Sequence, residues 1–197
     1  TYRVYGMQII FIGYCGVRIE ETLRMEWKHL LHKRKPWVIK LPAQITKKNW
    51  SRRIEIPENA RCWLAEFIEK HAWEISVDGL IIFNRNTGGE LDSTEAYKRQ
   101  YHFRKAWKKW TEKNKKSFEG EVAQNALRHS CASYSVHEFG KEKTCAMMGE
   151  KDPGTLDKHY RFYVEPEDAK KYFEVFPPRE IERRKKAHQA KDEEEMA

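Results

Sequence analysis

The strongest constraint in the chain is an apolar run near its start, Met7 to Val17, which includes Ile9, Ile10, Phe11, Ile12 and Cys15. A helix apolar on nearly every side has no face to give to water and has to be wrapped by the rest of the domain. The run covers about half of the ~20 residues a bilayer span needs, and Gly13 and Gly16 interrupt it. It therefore reads as a core helix over Tyr2 to Tyr14 that the Gly13 to Gly16 region ends or bends, not as a membrane anchor. No signal-peptide cleavage pattern comes after it, and the opening at Thr1 without Met suggests a piece of a longer protein.

Residues beyond Val17 have to cover that helix, and their periodicity changes along the way. Ile19, Leu23, Met25, Trp27 and Leu30 continue an apolar pattern mostly at helical spacing. From Trp37 two short β-branched runs, Trp37-Val-Ile-Lys-Leu and Arg53-Ile-Glu-Ile, flank the basic segment Thr46-Lys-Lys-Asn-Trp-Ser-Arg52, which predicts a small antiparallel sheet near residues 37 to 57 with a basic turn. Pro57-Glu58-Asn59 opens a helix whose face is Ala60, Trp63, Leu64, Phe67, Ile68 and Ala72. Leu80 to Phe83 reads as a short buried strand or link. Between Ser93 and Lys115 a helix carries Phe103, Ala106, Trp107 and Trp110 on one stripe, read as core, with Arg104, Lys105, Lys108 and Lys109 largely off it.

Helical character resumes from Val122 to Phe139, then in short helices around Glu142 to Met148 and Thr155 to Val164, and in Glu167 to Phe176, which Pro177-Pro178 breaks. The expected class is mixed α+β, mainly α-helical with a small antiparallel β-sheet: one domain over residues 1–178 and a charged tail over 179–197, read as a solvated helix or disordered arm. No internal repeat is present, so solenoids drop out.

Composition narrows the partner. The 38 Lys+Arg against 30 Asp+Glu give a formal charge of +8, with 40% hydrophobic residues and 13% aromatics, so a core is available under a heavily charged surface. An acidic buffering role is excluded and a polyanion is plausible. The four cysteines, Cys15, Cys62, Cys131 and Cys145, form no CxxC or Cys/His cluster and read as packed, reduced thiols of a cytoplasmic protein.

Three stretches place cationic or nucleophilic side chains beside tight backbone: Gly16-Val-Arg18-Ile-Glu-Glu21, Asn125-Ala-Leu-Arg128-His-Ser130 and His159-Tyr160-Arg161. Singly each is compatible with a structural role, since Arg18 can pair with Glu21 one turn on and Arg128 with another acid. In this order they resemble the catalytic domain of the tyrosine recombinases, the phage-type integrases, over about residues 7 to 176. Gly16 to Trp27 resembles the family's first arginine motif, Gly-Leu-Arg-Ile-Ser-Glu-Leu. Asn125 to Ser133 resembles its second, His-x-Leu-Arg-His-Thr-Phe-Ala-Thr, and Met148-Gly149 stands where the family has Leu-Gly-His.

The resemblance implies Arg18 and Arg128 as the two catalytic arginines and Tyr160 as nucleophile, with Tyr163 read as packing. For the hairpin lysine it implies Lys47, with Lys48 the near rival. It further implies double-stranded DNA as partner, self-association on DNA as a tetramer, a bacterial or phage-derived, nucleoid-associated location, and no metal or other cofactor. Lys48, Arg52, Arg104 and Lys108 are the expected DNA contacts. Relatives generally also carry an N-terminal helical domain that nothing here matches, so this chain alone is expected to bind DNA weakly and with strong salt dependence.

The chemistry needs these residue types. A phosphodiester under attack gathers negative charge on its non-bridging oxygens, which two guanidinium forks can bind. A phenolate attacks and later leaves, so the phosphotyrosyl link lets a second strand reseal; the lysine protonates the departing 5′-oxygen. Two positions depart from the family pattern. Asn125 replaces the histidine that opens the second box and cannot transfer a proton at neutral pH. Glu150 replaces histidine or tryptophan, and its charge beside a scissile phosphate is repulsive unless neutralised or turned away. Two alternatives stay open: a catalytically impaired DNA-binding relative, and a nicking-closing enzyme resembling the type IB topoisomerases.

Overall fold

The computed structural model describes residues 2–71, 79, 81, 93–117, 125–159 and 164–195. The apolar run forms helix α1, Tyr2–Cys15, and it is the centre of the core: Met7, Phe11, Cys15 and the following Val17 are essentially inaccessible. Its one central polar side chain, Gln8, is buried but donates to the Thr22 hydroxyl at 3.2 Å. Helix α3, Glu58–His71, and helix α5, Ala126–Phe139, pack against α1.

The chain leaves α1 through Gly16, whose φ of +61° falls in the left-handed region that glycine enters without penalty. The expected helical continuation through Leu30 shrinks to one turn, α2, Ile19–Thr22, and a later 3₁₀ turn at Trp27–His29. Leu23, Met25, Trp27 and Leu30 are buried as expected, but by a winding segment tied to residues 79 and 81: Trp27 N–H donates to the Gly79 carbonyl and Ile81 N–H to that of Met25, while the rest of the strand or link expected over Leu80 to Phe83 lies outside the described residues. The apolar spacing recorded burial, and irregular backbone satisfied it equally well.

Leu30–Leu31 is strand β1, pairing antiparallel with β2, Val38–Leu41, which pairs antiparallel with β3, Arg52–Glu55. The register sets Val38 opposite Glu55 and Leu41 opposite Arg52. Helix α4 is Ser93–Lys113. Its aromatic stripe is not the core stripe expected: Phe103 is buried, Ala106 is exposed, Trp110 is 49% exposed, and Trp107 and Trp110 stack on each other with centroids 5.4 Å apart.

Helix α5 begins at Ala126, with Asn125 at its N-cap; the expected earlier turns fall outside the described residues. Helix α6, Lys141–Met148, packs on α5 and β3, and α7, Pro153–His159, packs on α6. Helix α8, Pro166–Phe173, closes the far side of α5: Tyr172 stacks on Tyr134 at 4.3 Å and its hydroxyl donates to the Gly13 carbonyl near the end of α1. Burial pushes the Tyr172 phenol well above its ordinary range.

Pro178 opens α9, Pro178–Glu195, so the charged tail is a helix through Glu195. It is tied to α3 through Arg179 to Glu69 and Arg184 to Glu58, each 2.7 Å, while the Arg184 guanidinium lies 3.8 Å from the centroid of the Phe176 ring. All four cysteines are buried and unbridged, and burial pushes the Cys131 thiol up to about 11, which fits a packing role. Among the described residues no helix is long and apolar enough to cross a membrane.

Candidate active site

Arg18 occupies the N-cap position of α2 with an extended backbone, φ −74° and ψ 148°. Glu21, three residues on, returns its carboxylate to the Arg18 backbone N–H at 2.8 Å, the reciprocal half of a capping box. This is the local reason for the Arg-x-x-Glu spacing: the acid fixes the backbone from which the arginine projects. Glu21 is 1% exposed, and its principal partner is Arg52, whose Nη1 and Nη2 donate to the two carboxylate oxygens at 2.9 and 2.5 Å. Burial pushes the Glu21 carboxyl up, but the hydrogen bonds and charge of Arg52, helped by Arg18, outweigh it and hold the group below the ordinary carboxylate range.

The second arginine comes from α5. Arg128 is buried, and its Nη2 donates to the Met148 carbonyl at 2.7 Å. That carbonyl ends α6, which closes in a Schellman motif: Gly149 N–H bonds to Ala146, Glu150 N–H bonds to Cys145, and Gly149 sits at φ +66°. A Cβ on Gly149 would lie 3.0 Å from Arg52 Cδ and 3.1 Å from its Nη1. The left-handed turn thus rests on Arg52 and delivers Glu150 beside the arginines.

The two arginines meet on Glu150. Arg18 Nη2 donates to Glu150 Oε1 at 2.6 Å, and Arg128 Nη2 lies 3.6 Å from the same oxygen. Lys48, from the turn between β2 and β3, donates to Oε2. The Glu150 side chain is 5% exposed, so its charge is balanced by cations from three separate elements rather than by water. A cleft of about 300 Å³ opens beside it, lined by Arg18, Lys48, Trp50, Arg52, Gly149 and Glu150 among others.

Of the residues expected from sequence, Arg18, Arg128, Glu150 and Lys48 are brought together. Lys47 is exposed on the same turn, and it is Lys48 whose ammonium reaches the cluster. Asn125 is exposed at the start of α5, one helical turn before Arg128. Tyr160 and Tyr163 lie outside the described residues. Arg52, expected as a DNA contact, is instead a nearly buried internal cation bound to Glu21, because that carboxylate requires a partner away from water. Arg104 lies 3.7 Å from Glu20 on α2, and Lys108 is exposed one turn further along α4, 3.9 Å from Glu112.

The Arg52–Glu21 pair escaped the sequence reading, although a signal existed. Side chains two apart on a strand share a face, and the burial of Ile54 puts Arg52 on the inward one. Trp50 was missed as well: it is 36% exposed at the cleft mouth, with the Lys151 ammonium 3.9 Å from its ring centroid.

The chain matches the model of the phage integrase family over residues 3–161. Its fold is similar to the crystal structure of XerA recombinase, with a TM-score of 0.60 at 14% identity, covering 89% of this chain and 62% of that one. It is also similar to the Tn1549 transposon integrase, solved in complex with a circular-intermediate DNA, with a TM-score of 0.55 at 14% identity, covering 90% of this chain and 57% of that one. The chain therefore spans about three-fifths of the length of these solved proteins. Among curated proteins none is significantly similar in sequence.

Proposed function

Because the chain belongs to the phage integrase family, we propose that it is the catalytic domain of a tyrosine recombinase, cutting and rejoining double-stranded DNA through a 3′-phosphotyrosine. The observation that carries this reading is the meeting of Arg18 and Arg128, far apart in the sequence, on one two-oxygen anion. These two guanidiniums come from separate elements, the N-cap of α2 and the body of α5, and converge on a single acid. Two that share one carboxylate form a seat that also suits the non-bridging oxygens of a phosphodiester.

In this mechanism Tyr160 gives up its phenolic proton to water and attacks phosphorus as the phenolate, the 5′-oxygen leaves, and Arg18 and Arg128 bind the charge that develops on the non-bridging oxygens. Lys48 is the general acid that protonates the leaving oxygen: it reaches the seat, which Lys47 on the same turn is not seen to do. Asn125 contributes a neutral hydrogen bond to the phosphate in place of a proton-transferring group. Arg104 and Lys108 on α4 extend the cationic surface along the duplex.

Residues 1–178 form the catalytic unit and 179–197 its charged extension. The protein acts in the cytoplasm on the nucleoid and assembles as a tetramer on paired sites. A duplex nicked close to the cleavage site tests the chemistry, because the short fragment diffuses away and traps the covalent intermediate. A protein–DNA adduct that disappears in Tyr160→Phe is expected. Salt-sensitive retention of DNA without an adduct would instead mark a binding relative that has lost catalysis, and relaxation of plasmids without site preference would mark nicking-closing activity.

A further inference from the structure

We propose that Glu150 is a resident stand-in for the phosphate, a gate that the incoming phosphodiester displaces before the site can act. The inference rests on reading the cluster as a phosphodiester seat. The three cations that this reading assigns to the phosphate and its leaving oxygen all engage the Glu150 carboxylate: Arg18 at 2.6 Å, Arg128 at 3.6 Å, and Lys48. A carboxylate and the two non-bridging oxygens of a phosphodiester present the same chemistry to a guanidinium fork, so they compete for one place.

The architecture allows the exchange. The backbone at 150 is held by its N–H to Cys145 and by the Cys145 thiol to its carbonyl at 3.0 Å, so the side chain can turn out while the seat stays built. Lys48 is 42% exposed, and the adjoining cleft gives an anion a way in. Before DNA arrives, Glu150 keeps three like charges together that would otherwise repel one another. On arrival it opposes the phosphate with a charge of the same sign.

The test compares the full chain with Glu150→Gln and with Glu55→Gln, a control that removes the same charge from the exposed end of β3. Thermal unfolding is measured in chloride and in inorganic phosphate at equal ionic strength. Glu150→Gln is expected to melt lower in chloride and to gain about 3–6 °C more from phosphate than the parent does, because the neutral amide left in the seat offers Arg18, Arg128 and Lys48 no opposing charge and yields more readily to an anion. By fluorescence anisotropy on a duplex it is expected to bind about tenfold more tightly than the parent, with Glu55→Gln within about threefold. Should Glu150→Gln not fold in chloride, recovery by phosphate supports the gate. Without recovery, Glu150→Asp decides: its shortened reach should enlarge the phosphate response over the parent, and an unchanged response overturns the proposal.

A phosphate response equal to the parent's, or DNA binding no tighter than in Glu55→Gln, overturns the gate. Adduct capture on the nicked duplex separates this from failure of the strand-transfer reading. Phosphate and DNA responses as expected with no adduct in any protein leave the gate standing and remove the catalytic reading. An adduct in the parent with no change in any response in Glu150→Gln does the reverse.

Discussion

Arg52 and Glu21 form a two-point ion pair, at 2.9 and 2.5 Å, that joins the sheet to the turn carrying Arg18. Both side chains are nearly buried, so removing one partner leaves the other charge without water. Arg52→Met and Glu21→Gln should each lower stability by about 3–5 kcal/mol, read from denaturant unfolding. The double substitution should cost much less than the sum.

The same pair sets an acid limit. Folding holds the Glu21 carboxyl below its unfolded range near ~4.3, so protonation favours the unfolded chain. Its contribution is fully present above the unfolded value and is lost as pH falls through the lower folded value. The stability gap between the parent and Glu21→Gln should therefore be widest near neutrality and narrow progressively below about pH 4. Urea midpoints across that range measure it.

Lysine in place of either arginine keeps the charge but loses the planar fork. Arg18→Lys and Arg128→Lys should slow adduct formation on nicked duplex by about 10²–10³-fold, with DNA retention changed far less. Single-turnover trapping at saturating protein separates the two effects.

Lys48 and Lys47 are distinguished by the leaving group. A 5′-bridging sulfur departs as a thiolate without needing a proton, so it bypasses a general acid. Lys48→Ala should slow cleavage of the ordinary substrate by about 10²-fold or more and regain most of that loss on the sulfur-bridged one. Lys47→Ala should behave like the parent on both. The opposite pattern would reassign the acid to Lys47.

Gly16 tests how the first arginine is delivered. A Cβ there would lie 2.5 Å from Met148 Sδ, on a backbone with φ +61°. Gly16→Ala combines a disfavoured conformation with overpacking against a buried side chain and should destabilise by about 2–4 kcal/mol in thermal or denaturant unfolding.

The parts of the fold that are local were legible in the sequence. The apolar run of α1, the β-branched runs of β2 and β3, and the Pro-Glu-Asn start of α3 each carry their signal within a few residues. The segment after Arg18 misled because burial at helical spacing is also met by a winding chain tied to residues 79 and 81. The α4 stripe misled because periodicity records a face and not what covers it, and Trp110 remains half exposed.

In the site, the motifs singled out Arg18 and Arg128, and the spacing offered Glu21 as a partner for Arg18, whereas the meeting of both arginines on Glu150 was not legible. Glu150 was expected as a source of repulsion, and its neutralisation by Arg18, Arg128 and Lys48 depends on long-range packing. The choice between Lys47 and Lys48 depends on a turn in which Asn49 adopts a left-handed backbone, φ 56°, and neighbouring lysines give no hint of which one that turn aims inward.

The Schellman turn at the end of α6 fixes position 150 through main-chain atoms and the Cys145 thiol, none of them belonging to its own side chain. Any residue that keeps a main-chain N–H is therefore anchored at the same spot, whatever its side chain. The position works as a socket with an interchangeable plug, in which a single codon decides what the surrounding cations meet.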